Sequence, residues 1–227
     1  MISNENAVTV SSELLAIGRP MWEQSLACPF LQGIRDGSLP KEKFMFYMVQ
    51  DYLYLKEYVK LFALGVVKSG DIPTMRYFQA YEAQILNTEM ETHRSYMARI
   101  GITPEEAENA ETAPENQAYT DFMLARAWEG SAADAAVTVL ACAESYEYIA
   151  RRIIEEDPSA AEHPFYGEWV RSYGDPDYAA SNRELEKLLD SLTPSASEAD
   201  RRRFRDIFVK CTRCEDAFWA MGWRGSV

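Results

Sequence analysis

Helix start signals recur along this chain, and no segment carries the pattern of a β-strand. Thr103-Pro104-Glu105-Glu106 combines an N-cap hydroxyl, a proline at the first helical position and a glutamate that can bond back to the cap. Ser131 to Asp134 and Ser197 to Asp200 repeat this arrangement with aspartate. Alternation of apolar and polar residues between turn residues, which marks a half-buried strand, is missing. The sequence therefore predicts an all-α fold.

Periodicity of apolar residues and the positions of these signals together place the helices. We predict helices at residues 11–27 with a bend at Pro20, 29–35, 41–68, 73–100, 104–110, 115–128, 131–156, 165–173, 177–192 and 198–222. No stretch rich in proline, glycine and serine divides the chain. We therefore expect one domain over residues 1–227, with residues 1–10 as a flexible N-terminus.

The charge of the chain limits its partners. It carries 36 acidic and 23 basic side chains, a formal net charge of −13, which repels phosphate backbones and anionic lipid headgroups. No stretch reaches the roughly 18 apolar residues that a membrane span needs, and no basic region followed by an apolar core opens the sequence. We expect a cytoplasmic protein that binds neither nucleic acid nor membranes, with its four cysteines as free thiols.

Three polar residues interrupt apolar helix faces. Asp51 falls in the middle of the inward face of segment 41–68, among tyrosines. Cys142 lies in the apolar stripe of segment 131–156, and Glu215 interrupts the stripe of the last helix. Burying an unpaired polar group costs several kcal/mol, so such positions are informative in a helical protein.

Each of these residues also has an ordinary structural explanation. A buried cysteine is most often a small apolar side chain, and tyrosine hydroxyls can satisfy a buried aspartate such as Asp51. Glu215 can pair with Arg213 or with another arginine. Together, however, Cys142, Glu215 and Asp51 supply the nucleophile, acid/base and orienting carboxylate that thiol chemistry on an electrophilic carbon requires. Spacing along the chain does not establish whether they converge.

Metal and cofactor sites find little support in the sequence. Cys211-x-x-Cys214 has the spacing of half a zinc site, but the second half is missing. His93 and His163 are the only histidines, and Met90 stands where a di-iron Glu-x-x-His motif needs glutamate. Either histidine could serve as a proximal haem ligand in principle, but nothing nearby supports this. Glycine-rich nucleotide motifs are missing too, so we expect neither metal nor cofactor.

Several motifs, taken in order, resemble the thiaminase II (TenA) family from about residue 20 to residue 224. Gln50-Asp51-Tyr52-Leu53-Tyr54-Leu55 comes early, Glu215 with Phe218-Trp219 comes at the end, and Cys142 lies between them. The remaining matching segments are Pro29-Phe30-Leu31-Gln32-Gly33-Ile34, Leu140-Ala141-Cys142, His163-Pro164-Phe165-Tyr166, Trp169 and Tyr173-Gly174.

The resemblance implies a heme-oxygenase-like helical bundle that binds no haem, forms a homotetramer and acts in thiamin salvage. Members hydrolyse aminopyrimidines from degraded thiamin to the hydroxymethyl pyrimidine, and some cleave thiamin itself. By matching positions, Cys142 is the nucleophile, Glu215 the general acid/base, and Asp51 the carboxylate that binds the pyrimidine's ring nitrogen and amino group.

Aromatic residues complete the site that the resemblance implies. Tyr54 supports Glu215, Tyr119 and Phe218 pack on the pyrimidine ring, Tyr146 lines the pocket, and Tyr173 bonds near the nucleophile. Aromatic walls suit a flat heterocycle, and burial is expected to raise the pKa of Glu215, which favours a proton donor at neutral pH.

The chain departs from the family pattern at two places. Leu140-Ala141-Cys142-Ala143-Glu144 stands where Leu-Pro-Cys-Tyr-Trp is usual, and Cys28-Pro29-Phe30 replaces His-Pro-Phe. The first departure bears on substrate choice, because an added carboxylate at Glu144 and the loss of two aromatic residues could change what the pocket or its mouth accepts. The second departure is expected to be structural.

Two other functions stay open on the same fold. One is a non-catalytic protein that binds or senses a pyrimidine, although binding alone does not require a thiol opposite an acid. The other is a cofactor-synthesis oxidase of the pyrroloquinoline quinone type, which needs more histidines and basic residues than this chain supplies.

Overall fold

The computed structural model describes residues 8–225, and within that range the chain forms helices and no strand. The helices are α1 (Val10–Ser25), α2 (Pro29–Asp36), α3 (Lys41–Lys68), α4 (Ile72–Gln84), α5 (Met90–Ile100), α6 (Pro104–Asn109), α7 (Pro114–Glu129), α8 (Ala132–Glu156), α9 (Gly167–Tyr173), α10 (Pro176–Leu192) and α11 (Glu198–Arg224). A π-helical turn, Ile85–Glu89, joins α4 to α5, and a 3₁₀ turn, Pro158–Glu162, follows α8. The predicted all-α class is confirmed.

Three of the predicted helix starts carry side-chain caps in the structure. Thr103, Ser131 and Ser197 each form a reciprocal capping box with the residue three positions later. These caps satisfy backbone N–H groups that the first helical turn leaves without a partner. They fix where α6, α8 and α11 begin.

The helix boundaries differ from prediction in a few places. The segment predicted as one helix over 73–100 is interrupted by the π-helical turn, and the helix predicted from residue 165 begins at Gly167. Helix α1 continues through Pro20 and ends at Ser25. Of the expected flexible segment 1–10, residues 1–7 lie outside the described residues, whereas Val10 is buried and begins α1.

Helix α8 lies in the centre of the bundle. It packs against α1, α3, α7, α9, α10 and α11. Every residue from Ala132 to Ala143 is buried, and most of them are alanine, valine or threonine, whose small side chains let surrounding helices approach. This packing carries Cys142 into the interior.

The arginine cluster near the start of α11 is used in ion pairs. Arg201 pairs with Glu13 of α1, and Arg203 pairs with Asp134 of α8 and with Asp200. Over residues 8–225, no helix has the length and apolar character that crossing a membrane requires.

Candidate active site

A cavity lies between α3, α4, α8 and α10 and measures about 760 Å³ with its mouth included. Asp51 and Cys142 both line it, so the structure brings together two of the three residues singled out in the sequence. Tyrosine is the commonest residue in its wall: Tyr54, Tyr58, Tyr77, Tyr81, Tyr146, Tyr173 and Tyr178. Such a space, apolar with a few polar groups, is typical of small-molecule sites.

Glu215 lies behind the cavity wall beside Cys142. It is buried and accepts a 2.7 Å hydrogen bond from the Tyr119 hydroxyl. The alternative of an ion pair with Arg213 is wrong, because no ion pair involves Glu215 within residues 8–225, and the Arg213 side chain is exposed. The third polar residue thus joins the other two.

Burial keeps both reactive groups in their neutral forms. Desolvation raises the pKa of Glu215 to about 8, although the hydrogen bond from Tyr119 and contact with Cys142 oppose this shift. Desolvation also raises the pKa of the Cys142 thiol well above its usual value, and the neighbouring Glu215 charge raises it further. A thiol and a carboxylic acid therefore face each other at neutral pH.

The aromatic residues implied by the resemblance surround these groups. The Tyr54 ring lies 5.4 Å from the Tyr119 ring and 5.9 Å from the Phe218 ring, centroid to centroid. Tyr146 and Tyr173 form an edge-on pair at 4.7 Å in the cavity wall.

Tyr119, and not Tyr54, forms the hydrogen bond that supports Glu215. Glu215 is bonded by Tyr119, whereas the Tyr54 hydroxyl lies 3.5 Å from the sulfur of Met123. The nearby Tyr54 hydroxyl also lowers the pKa of Cys142. Tyr54 therefore acts on the thiol side of the pair and Tyr119 on the carboxyl side.

Asp51 is bonded to His93, a residue to which no sequence motif assigns a role. Its Oδ2 lies 2.8 Å from Nε2 of His93, and both side chains are buried. His93 belongs to a stripe of α5 that is otherwise Met90, Tyr96 and Met97, all buried. The criterion that selected Asp51, a polar residue on an apolar face, selects His93 as well.

Glu144 does not belong to the cavity. It lines a separate groove with Arg19, Glu147 and Arg151, on the other side of α8. Burial, followed by the charges of Glu186 and Glu147, raises the pKa of Glu144 to about 8. The expectation that Glu144 reshapes the pocket is wrong, because α8 is packed with Cys142 and Ala143 toward the cavity and Glu144 toward the groove.

Metal-ligating residues do not cluster in the part of the chain that the structure describes. Among residues 8–225, no group of three or more histidine, cysteine, aspartate or glutamate side chains is placed to hold a metal ion. Cys211 and Cys214 are both buried and free, with Cys211 fully enclosed in the core.

Comparison with known proteins matches the geometry to a family. Residues 17–225 match the model of the TENA/THI-4/PQQC family. The chain belongs to this family. Among its relatives are the aminopyrimidine aminohydrolase of Halalkalibacterium halodurans, 40% identical over 95% of this chain and 96% of that protein, and that of Helicobacter pylori, 40% identical over 95% and 99%.

Solved structures share the fold. A TenA family transcription regulator from Silicibacter sp. TM1040 superposes with a TM-score of 0.87 at 29% identity, covering 95% of this chain and 97% of that one. A domain from Shewanella denitrificans described as having a heme oxygenase-like fold superposes with a TM-score of 0.78 at 16% identity, covering 94% and 91%. The predicted heme-oxygenase-like bundle is confirmed.

The structure locates two of the residues at which the chain departs from the TenA pattern. Ala141 is fully buried and faces the core, whereas Ala143 lines the cavity next to Cys142. Where the family pattern has tyrosine, this chain therefore presents a methyl group to the cavity, which leaves more room beside the thiol.

Proposed function

We propose that this protein is an aminopyrimidine aminohydrolase of thiamin salvage. It converts 4-amino-5-aminomethyl-2-methylpyrimidine and water to the hydroxymethyl pyrimidine and ammonia. The observation that carries this proposal is the pair formed by the Cys142 thiol and a buried Glu215 whose pKa is about 8, beside a cavity walled by tyrosines. The activity named for relatives at 40% identity supports the same reaction.

Proton transfer between Cys142 and Glu215 starts the reaction. The ionised fraction of Glu215, roughly a tenth at pH 7 for a pKa of about 8, takes the thiol proton as sulfur attacks the pyrimidine ring. A carbon–sulfur bond forms and the ring loses its aromaticity. Glu215, now protonated, stands ready as the acid.

The same proton then serves the leaving group. Glu215 donates it to the amine on the exocyclic methylene, the carbon–nitrogen bond breaks, and ammonia departs. Water adds to the methylene and gives up a proton to Glu215. The carbon–sulfur bond breaks, the ring regains aromaticity, and the sulfur recovers its proton from Glu215. Asp51 holds the ring through its nitrogen and amino group.

Ammonia release from purified protein tests the proposal. We expect turnover of the aminomethyl pyrimidine in the wild type and none above background in Cys142→Ala, with thiamin as a comparison substrate. Cys28→Ala, a change at a half-buried cysteine outside the cavity, is the matched control and should keep full activity. An undiminished rate in folded Cys142→Ala would refute the nucleophile, and saturable binding without turnover would favour a pyrimidine sensor.

We also propose that the chain assembles as a homotetramer. An apolar groove between α3 and α7 includes Leu64, Val67, Leu124 and Trp128, and the last of these is 67% exposed. Exposed apolar patches of this kind are typical of interfaces. Light scattering should give four chains for the wild type and fewer for Trp128→Glu; a monomeric wild type would reject the assembly.

A cytoplasmic location completes the proposal. It is supported by the acidic net charge and by four cysteines that form no disulfide. Cell fractionation followed by immunodetection tests it.

A further inference from the structure

The His93 and Asp51 pair separates the active-site cavity from a second cavity. Asp51 lines the first cavity, His93 lines the second, and Glu89 and Tyr173 border both. The two side chains meet at 2.8 Å in the wall between them. His93 can therefore act on a ligand in the first cavity through Asp51.

The hydrogen bonds of His93 determine how many protons the pair holds. Nδ1 lies 3.2 Å from the backbone carbonyl of Glu89, which can only accept, so Nδ1 carries a hydrogen. Nε2 faces the Asp51 carboxyl oxygen Oδ2. A neutral imidazole has a single N–H, so this second contact is a hydrogen bond only if one more proton lies between Nε2 and Oδ2.

Acidic surroundings favour that additional proton. Burial lowers the pKa of His93, but the hydrogen bond and charge of Asp51, together with the charge of Glu89, raise it above the usual value overall. The titratable groups that face His93 across the second cavity are all acids or phenols. They are Asp51 from α3, Glu89 from the π-helical turn, Tyr96 from α5, Glu168 and Tyr173 from α9, and Tyr178 from α10.

We propose that His93 is a positioning residue whose pair with Asp51 stores the proton that the pyrimidine ring takes up when Cys142 adds to it. This step rests on the proposed function. As the carbon–sulfur bond forms, a ring electron pair moves to the ring nitrogen, which takes the stored proton through the Asp51 carboxyl. Neutral His93 and ionised Asp51 remain. When the carbon–sulfur bond breaks, the nitrogen returns its proton to the pair.

Nitrogen-15 NMR of the imidazole rings tests the stored proton without any substrate. The chain has two histidines, and His163 differs from His93 because its Nδ1 accepts hydrogen bonds from the N–H groups of Phe165 and Tyr166. We expect both nitrogens of wild-type His93 to be protonated at pH 7. In Asp51→Asn, we expect the ring to lose its additional proton at a lower pH than in the wild type. A His93 titration unchanged by Asp51→Asn would overturn the proposal.

Kinetics of His93→Gln test the role in turnover. Glutamine keeps an N–H group that can hydrogen-bond Asp51, but it cannot release a proton. The variant therefore removes the stored proton while leaving Asp51 in its position. We expect kcat to fall about a hundredfold, within the range for general acid catalysis, with a much smaller change in KM. The wild-type rate should fall at alkaline pH as the pair loses its additional proton, and this fall should be absent in His93→Gln. Thr92→Ala, an exposed neighbour lining the same second cavity, should keep wild-type values.

The outcomes separate the two proposals. If the wild type releases ammonia and His93→Gln retains its kcat and pH profile, the stored proton is refuted and the hydrolase stands. If the wild type releases no ammonia, the hydrolase fails, and the NMR titration of the unliganded protein still decides whether the pair holds the additional proton.

Discussion

The hydroxyl of Tyr119 donates a 2.7 Å hydrogen bond to Oε1 of Glu215, from α7 to α11 across the interior of the bundle. Both side chains are almost completely enclosed. This bond opposes the effect of burial, because it stabilises the ionised carboxylate and lowers the pKa of Glu215. The bond therefore determines which fraction of Glu215 is ionised and able to accept the thiol proton.

Removing this bond should shift the pH dependence of the enzyme. In Tyr119→Phe the pKa of Glu215 rises above about 8, fewer carboxylates are ionised at pH 7, and we expect kcat/KM at pH 7 to fall roughly tenfold for each unit of pKa shift. The acidic limb of the pH–rate profile moves to higher pH. Tyr148→Phe removes another tyrosine–glutamate bond, to exposed Glu23, and is expected to leave the profile unchanged. Identical profiles for wild type and Tyr119→Phe would refute this role.

Glu215 should also make stability depend on pH. Its folded pKa of about 8 exceeds the unfolded value near 4.3, so the folded state binds more protons between these limits. The resulting stabilisation is present at acidic pH and is lost as pH rises from about 4.5 to about 8, by roughly 3 to 5 kcal/mol at most. Urea titrations across this pH window should show that the unfolding free energy falls less with rising pH in Glu215→Gln than in the wild type.

Glu144→Gln is the matched control, because the pKa of Glu144 is also about 8 but its side chain lies outside the cavity. We expect it to reduce the same pH dependence of stability while leaving ammonia release intact. Loss of activity in Glu144→Gln, or full activity in Glu215→Gln, would contradict the division between the two sides of α8.

Sequence periodicity determines most of this fold and part of its site. Capping residues located the starts of α6, α8 and α11, because a cap is a local interaction between residues three apart. Asp51, Cys142 and Glu215 were found for a similar reason, since each interrupts an apolar stripe on its own helix.

Residue patterns within one helix do not predict the contacts between helices. The pairing of His93 with Asp51 joins α5 to α3 across 42 positions. Helix α5 follows a π-helical turn at Ile85–Glu89, which no residue pattern in the segment predicts. Glu144 points away from the cavity, although its neighbour Ala143 lines it. Which of two adjacent helical positions faces a cavity depends on how α8 is rotated against α10 and α1.

Ala143 should control how large a substrate the cavity accepts. Its methyl group lines the wall beside Cys142, with Asn182 and Leu185 of α10 nearby. In Ala143→Phe the added ring occupies this space, and we expect kcat/KM for thiamin to fall at least tenfold more than for the smaller aminomethyl pyrimidine, since steric differences in a pocket are worth about 1 to 3 kcal/mol. Ala143→Val should give a smaller difference. Equal losses for both substrates would show that this part of the wall does not contact the larger one.

Asp134 should be the cap on which the position of α8 depends most. Its Oδ2 accepts a 2.8 Å bond from the Ser131 N–H, and its Oδ1 accepts one from Nε of Arg203, while the side chain is only 3% exposed. Asp134→Ala removes half of the capping box of α8 and one of the two carboxylate partners of Arg203, which keeps Asp200, so we expect the unfolding free energy to fall by about 1 to 2 kcal/mol.

Asp200→Ala is the comparison, because Asp200 accepts the same bonds from Ser197 at the start of α11 and also pairs with Arg203, but its side chain is 36% exposed, so a smaller loss is expected. Chemical denaturation measures both variants, and ammonia release per folded molecule should stay at the wild-type rate, since Asp134 lies two helical turns before Cys142 and does not line the cavity. If the two variants lost equal stability, burial of the Asp134 pair would contribute nothing beyond the cap. If Asp134→Ala were instead stable but inactive, the cap would be positioning Cys142 rather than holding α8 in the bundle.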